Sequence, residues 1–372
     1  MMVPVVAARS DVVGSLLRPR QLLVARERFA DGGLSTAEFK AVEDDAVNEA
    51  LRLQEEAGVA VVTDGEMRRI SFQSQVPAAV EGFSDWDLDA FLWGDWHGDD
   101  DVGDLRVERP ALAVVGKLRR RRSLCAEEFA YARGRTDRVL KVTIPSPSLF
   151  ANFWDPERAP TEYRTLEDFL AAVTEILREE VDELEGMGAT YIQLDAPHYT
   201  MVLDPRYRDF YASRGWPTER WIELGLELDN RVIGDRPGVT FGFHLCRGNQ
   251  ASRWLVEGGY EAVADQIFRG IHADRLLLEY DGPRSGSFEP LARVPTDRWV
   301  VLGLVTTKQA RLESVDDLAR RIEAASRYVP LDRLAVSPQC GFATSVLGNA
   351  LTIDDERAKL RLVAEAARKV WD

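Results

Sequence analysis

The sequence predicts an α/β fold, a single (β/α)8 TIM barrel over residues 1–372 with a long insertion after the second strand. Three observations lead to it. Eight short apolar runs recur along the chain, amphipathic stretches of helical length separate them, and no Gly-x-Gly-x-x-Gly follows any run. Strands joined through helices pair in parallel, because a parallel connection has to cross back over the sheet. Eight such units suit a closed barrel better than an open doubly wound sheet, and the missing glycine motif leaves a dinucleotide fold without support.

Taken in order, the first strand is read at 8–13 and ends in Val13-Gly14-Ser15, with a helix following at 36–57. The second strand, 59–63, hands over Asp64-Gly65-Glu66. Residues 75–135 then break the rhythm. Trp86, Trp93 and Trp96 stand there with Asp99, Asp100 and Asp101, before an apolar run at 112–115 and a basic cluster of Lys117, Arg119, Arg120, Arg121 and Arg122. This reads as an insertion carrying its own hairpin, either a surface excursion or a lid or interface at the catalytic end. The third strand, 139–144, gives Pro145-Ser146-Pro147-Ser148; a helix at 166–187 leads to the fourth, 191–194, and its Asp195-Ala196-Pro197-His198. After a helix at 218–233 the fifth strand, 239–243, ends in His244-Leu245-Cys246. A helix at 252–269 precedes the sixth, 275–278, which ends in Glu279-Tyr280-Asp281. The seventh, 299–304, leads into Thr306-Thr307-Lys308, and a helix at 315–328 precedes the eighth, 334–336, with Gln339-Cys340-Gly341 beyond it.

Hydrophobic residues make up 45% and charged residues 29%, a globular balance with ample material for a core. No apolar run approaches the ~20 residues of a membrane span, and the first ten residues lack the basic and apolar stretches of a secretory signal. A cytoplasmic location and no membrane partner are therefore expected. The net charge of −15 argues against nucleic acid, whose non-specific binding draws on clustered Lys and Arg. The one basic cluster reads as a solvated rim or a contact for an anionic substrate tail. Assembly into a homo-oligomer is left open.

Barrel enzymes carry their catalytic groups on the loops after the strands. Two of three cysteines and two of four histidines fall at such ends. His244 and Cys246 are two apart on an extended segment, so both side chains face one side. With Cys340 from another strand they suit a tetrahedral Zn²⁺, and Glu279, at an intervening strand end, can fill or guard the fourth position. Ligands from distant strands around a barrel mouth indicate a catalytic metal, and two thiolates favour a substrate sulfur over hydroxide. Cys125, in a helical stretch at 123–132, reads as structural. Glu66 and Asp195 either bind an amino group, with the amides of Gly14 and Ser15 left for a carboxylate, or anchor loops. His198 is either a proton-transfer group or a structural loop histidine.

At these residues the chain resembles the catalytic barrel of cobalamin-independent methionine synthase, in a short single-barrel form. The matching pieces are Val13-Gly14-Ser15-Leu16-Leu17-Arg18-Pro19, Thr63-Asp64-Gly65-Glu66, Gln193-Leu194-Asp195, His244-Leu245-Cys246, Leu278-Glu279 and Pro338-Gln339-Cys340-Gly341. They follow the family's order from about residue 9 to the end. The resemblance implies zinc held by His244, Cys246, Glu279 and Cys340. It also implies homocysteine bound through its sulfur, with its amino-acid end at Ser15, Glu66 and Asp195, and a polyglutamylated 5-methyltetrahydrofolate as methyl donor. Three departures fall mostly on the donor side. No aromatic residue stands in Ile144-Pro145-Ser146-Pro147, where the family has a pterin-stacking tryptophan; Lys308 stands where the family has a catalytic histidine; and Ala196 replaces the second acid of an Asp-Glu-Pro motif.

The reading from sequence is thus a zinc-dependent methyltransferase acting on the thiol of homocysteine, with folate or another compound as donor. Two alternatives stand beside it. One is a thiol-alkyl transferase resembling epoxyalkane:coenzyme M transferase; the other is a zinc-binding accessory protein without turnover. A relative of the similar uroporphyrinogen decarboxylase barrel is disfavoured by the intact His-x-Cys and Cys340.

Overall fold

The computed structural model describes residues 5–84, 93–108 and 113–372. Twelve strands in chain order make up its sheets. Four belong to the insertion: β2 (Val80–Phe83), β3 (Gly94–Trp96), β4 (Leu105–Val107) and β5 (Val114–Arg120). The barrel wall uses β1 (Val61–Val62), β6 (Val139–Leu140), β7 (Val142–Pro145), β8 (Tyr191–Asp195), β9 (Thr240–Leu245), β10 (Arg275–Glu279), β11 (Trp299–Val305) and β12 (Leu334–Pro338). β7 to β12 form a six-stranded sheet in sequential order, every pair parallel, and β1 pairs in parallel with β6. Each wall strand is buried along its length apart from the partly exposed first residue of β6, as expected for a sheet covered by helices on one face and filled on the other.

The expected first strand is the main departure. Residues 8–13 make one parallel bridge, Ser10 to Val336, with Asp11 N donating to Val336 O at 2.9 Å. On the other side a side chain replaces the ladder: Ser10 Oγ accepts from Ala60 N at 2.9 Å. The segment closes the ring between β12 and β1 without being a regular strand. A second correction concerns the helix expected at 252–269. Only Ala264–Gly270 is α-helical, preceded by a 3-10 turn at Tyr260–Ala262. Gly258 and Gly259 interrupt the helical pattern, and the residues before them pair elsewhere: Trp254 exchanges backbone hydrogen bonds with His97 of the insertion.

The other helices lie where apolar periodicity puts them, at Thr36–Ala57, Leu166–Gly186, Thr218–Ile233 and Val315–Ala325, with Ile353–Trp371 closing the chain. Capping boxes start two of the expected ones, Ser35 with Glu38 and Thr165 with Asp168, satisfying amides that the first helical turn leaves open.

The insertion carries two antiparallel ladders, β2 with β5 and β3 with β4. Arg120 of the basic cluster is taken up by Glu180 and Glu183, fastening the insertion to the barrel, while Arg121 pairs with Glu81 within the insertion. Trp86 and Leu112, part of the expected pattern, lie outside the described residues. Among the described residues no helix is long and apolar enough to cross a membrane.

Inside the barrel sits a charged cluster rather than an apolar plug. Asp11 takes Lys141 Nζ at 3.0 Å, Arg275 Nη2 at 3.2 Å and the Tyr191 hydroxyl at 2.8 Å. Lys141 also donates to Gln193 Oε1 at 2.7 Å. Burial alone would raise the Asp11 carboxyl, but the two cations outweigh it and hold it below its ordinary value. Removing one partner of such a buried pair leaves an uncompensated charge, which costs about 3–5 kcal/mol. Asp11→Asn is therefore expected to lower unfolding free energy by roughly 3 kcal/mol in denaturant titrations; a loss within experimental error would show that the cluster does not hold the ring together.

Candidate metal centre

His244 is at the end of β9 and Cys246 two residues on, so the extended backbone turns both inward. Cys340 follows β12, where Gln339 N is pinned to Val305 O at 2.8 Å. Gly341 lets this loop lie against the first segment: a Cβ here would come within 2.1 Å of Ser15 Oγ. The outcome is a convergence. One ligand atom each from His244, Cys246 and Cys340 lie within 4.8 Å of one another, all buried.

Whether this trio suits a metal can be tested on its own polar atoms. Neither ring nitrogen of His244 makes a hydrogen bond, although the residue is buried. A buried imidazole without partners costs about 1–3 kcal/mol, which coordination would relieve. The thiols do not titrate alike. The Cys246 thiol, donating to Cys340, holds the latter well below its ordinary value, with His244 adding to the effect, and Cys246 is itself raised by the same contact. A thiolate, a second sulfur and an imidazole are the donor set of a soft divalent ion. The residues fit.

Glu279 stands close behind but is held. Its Oε2 accepts from Arg247 N at 2.7 Å, and its Oε1, which makes no hydrogen bond, faces Lys308 Nζ at 3.7 Å. Its carboxylate is not among the donor atoms within 4.8 Å of one another. Burial raises it, with Lys308 opposing. Lys308 is thus placed as a counter-ion to Glu279, at the back of the site.

The ligand trio opens on a cleft of about 810 Å³, its mouth included, whose walls also hold Ser15, Glu66 and Asp195. Glu66 sits in the left-handed region at φ 56°, directly after Gly65 at φ 70°. Such a conformation in a non-glycine residue costs on the order of 1 kcal/mol and needs outside support. Arg18 provides it by donating to Glu66 O at 2.9 Å, and Thr143 Oγ1 donates to Glu66 Oε1 at 2.8 Å. Glu66 Oε2 is buried without a partner. Gly14 does not line the cleft; a Cβ there would lie 2.6 Å from Glu66 Oε1, so its bareness makes room for that carboxylate. Asp195 Oδ1 accepts from Gln193 Nε2 at 2.7 Å, and burial pushes this carboxyl up to about 7 despite His244 beside it.

His198 is placed apart from the cleft wall. Its Nε2 meets Ser148 Oγ at 2.7 Å, its ring packs on Tyr199 and Trp221, and burial lowers it to about 3, so it stays neutral. Cys125 caps the helix at Ala126–Ala132, its amide bound to Glu180 Oε1 at 2.7 Å.

Sequence reasoning missed the apolar half of the cleft. Phe72, Trp93, Trp96, Met201, Tyr207 and Leu255 line it. The insertion supplies both tryptophans, and Arg253 grips the Val102 and Gly103 carbonyls at 2.7 and 2.8 Å. The insertion is thereby docked on the loop that follows Cys246. The cluster of tryptophans was a visible signal, but nothing in spacing said which surface they face.

The catalytic-domain model of cobalamin-independent synthase matches residues 10–369. The uncharacterized protein YxjG of Bacillus subtilis is 35% identical over 98% of this chain and 94% of its own length. The methionine synthase of Pyrococcus abyssi is 28% identical over 89% of this chain and 85% of its own. A structure from Listeria monocytogenes, assigned as a vitamin-B12-independent methionine synthase, superposes with a TM-score of 0.72 at 25% identity, covering all of both chains.

If the trio is the metal site, Cys246→Ser and Cys340→Ser are expected to weaken binding of a divalent ion by more than about a hundredfold, beyond the ~10–100-fold of indirect contacts. Cys125→Ser should leave it unchanged. Elemental analysis after dialysis against a chelator reads this, and full retention in Cys340→Ser would refute the assignment.

Proposed function

This chain belongs to the cobalamin-independent methionine synthase family, and we propose that it is a zinc-dependent S-methyltransferase that converts homocysteine to methionine. The observation that carries the reading is the buried His244, Cys246 and Cys340 trio facing, across one cleft, the carboxylates of Glu66 and Asp195. When bound, zinc lowers the pKa of a coordinated thiol so that it reacts as thiolate at neutral pH.

The protein's own residues then hold the amino-acid end. Glu66, with Oε2 free of hydrogen bonds, and Asp195 receive the ammonium, while Ser15, on the same wall, takes the carboxylate end. Gly14 keeps the space that Glu66 occupies. Glu279 is the candidate fourth ligand, and Lys308 balances its charge from behind. His198 holds Ser148, next to Leu149 of the cleft wall. In the transfer, a sulfur lone pair forms the new carbon–sulfur bond as the bond from methyl to donor breaks, its pair leaving with the donor. The family resemblance suggests a methylated folate as that donor.

The paired carboxylates favour this reading over an epoxyalkane:coenzyme M transferase, whose thiol carries a sulfonate and no ammonium. No Lys or Arg among the described lining residues is there to take a sulfonate; Arg69, 3.8 Å from Glu66 Oε1, is committed to that carboxylate and to Glu128. An accessory protein without turnover would have no use for Glu66 in a strained conformation.

Methionine formation from homocysteine and a methyl donor, followed by mass spectrometry, tests the reaction. Glu66→Gln is expected to raise KM for homocysteine by about tenfold or more, the loss of one charge-assisted hydrogen bond, with bound zinc unchanged. An unaltered KM would remove Glu66 from the ammonium site.

A further inference from the structure

The charge of the cleft bears on the second substrate. None of its described lining residues is Lys or Arg, while Glu66 and Asp195 both line it beside the two cysteines. With a divalent ion, two cysteine thiolates and a substrate thiolate, the metal centre itself carries a net negative charge. Arg69, 3.8 Å from Glu66 Oε1, balances part of that carboxylate, but the acceptor's amino-acid end is a zwitterion and does not offset Asp195 and the metal centre. Away from the metal, the wall is Phe72, Trp93, Trp96, Met201, Tyr207 and Leu255. Aromatic faces in a site of negative potential attract cations, quaternary and sulfonium groups above all, because these carry charge with little hydration. A polyanionic chain meets no Lys or Arg among the described residues that line the cleft.

We propose that the donor half of this cleft takes a methylated onium compound, a sulfonium or quaternary ammonium, in place of a polyglutamylated folate. The inference rests on the methyltransferase reading above and specifies its donor. The reaction balances without a further reagent. The acceptor thiolate attacks one methyl carbon; the carbon–sulfur or carbon–nitrogen bond of the donor breaks, and its electron pair stays on the leaving atom. That atom departs as a neutral thioether or tertiary amine. No proton has to be delivered to it, so the site needs no acid at position 308, where Lys308 faces Glu279 instead.

The test uses the zinc-loaded full chain. Tryptophan fluorescence is titrated with choline and with 3,3-dimethylbutan-1-ol, its neutral isostere. Choline is expected to bind at least about tenfold tighter, and Trp96→Leu should erase that preference while retaining zinc. Trimethylsulfonium with homocysteine is then expected to give methionine and dimethyl sulfide, read by headspace gas chromatography, whereas 5-methyltetrahydropteroyltriglutamate gives no methionine. Equal affinity for the two isosteres, or methyl transfer from the folate alone, overturns the proposal. Calorimetric binding of homocysteine, measured separately, distinguishes the two failures. If homocysteine binds and the onium compounds do not, the donor inference falls and the methyltransferase reading stands. If homocysteine does not bind, that reading falls, and the isostere ratio still decides what the cleft accepts.

Discussion

Everything at the mouth of this barrel depends on β9 and β12 bringing their ends together across β10 and β11. His244 pairs in register with Leu277, and Glu279 with Gly303. Between Gly303 and Val305 the register with β12 shifts, so that Val305 stands opposite Pro338. Gly303 permits this: a Cβ would lie 2.8 Å from Gln339 Cα and 2.9 Å from Leu278 O. The close approach turns Gln339 and Cys340 over the barrel end, where the second thiol meets the first. Below, Asp11 with Lys141 and Arg275 ties the first segment to the junction of β6 and β7 and to β10, holding the ring in the geometry that the mouth requires.

Above that ring the site divides by chemistry. One half is soft donors and carboxylates, all carried by barrel elements: the trio from β9 and β12, Glu66 after β1 and Asp195 at the end of β8. The other half is apolar, with Trp93 and Trp96 supplied by the insertion and Phe72, Met201, Tyr207 and Leu255 by the barrel's loops. The two halves are mechanically joined, since the backbone pair of His97 and Trp254 fastens the insertion to the loop leaving Cys246. A change at the insertion therefore reaches the metal ligands through a few residues of continuous backbone.

The barrel was legible in the sequence because period and punctuation agreed: β-branched runs, helices of matching length and polar residues where each strand stops. The convergence of His244, Cys246 and Cys340 was legible for the same reason, since strand ends in a barrel point to one mouth. What escaped was set by side chains acting in place of backbone. Residues 8–13 look like a strand, yet Ser10 satisfies Ala60 through its hydroxyl and no ladder forms. Residues 252–269 have helical periodicity in part, yet Trp254 is recruited by His97. Likewise the sequence marked Lys308 and His198 as groups at strand ends, but the side-chain directions that bind one to Glu279 and the other to Ser148 depend on packing.

The central claim is that a substrate thiol joins His244, Cys246 and Cys340 on one metal ion. Zinc-edge X-ray absorption of the loaded protein, with and without homocysteine, measures it most directly. The account predicts that the sulfur ligands rise from two, those of Cys246 and Cys340, by one when homocysteine is added. An unchanged sulfur count at saturating homocysteine would contradict it.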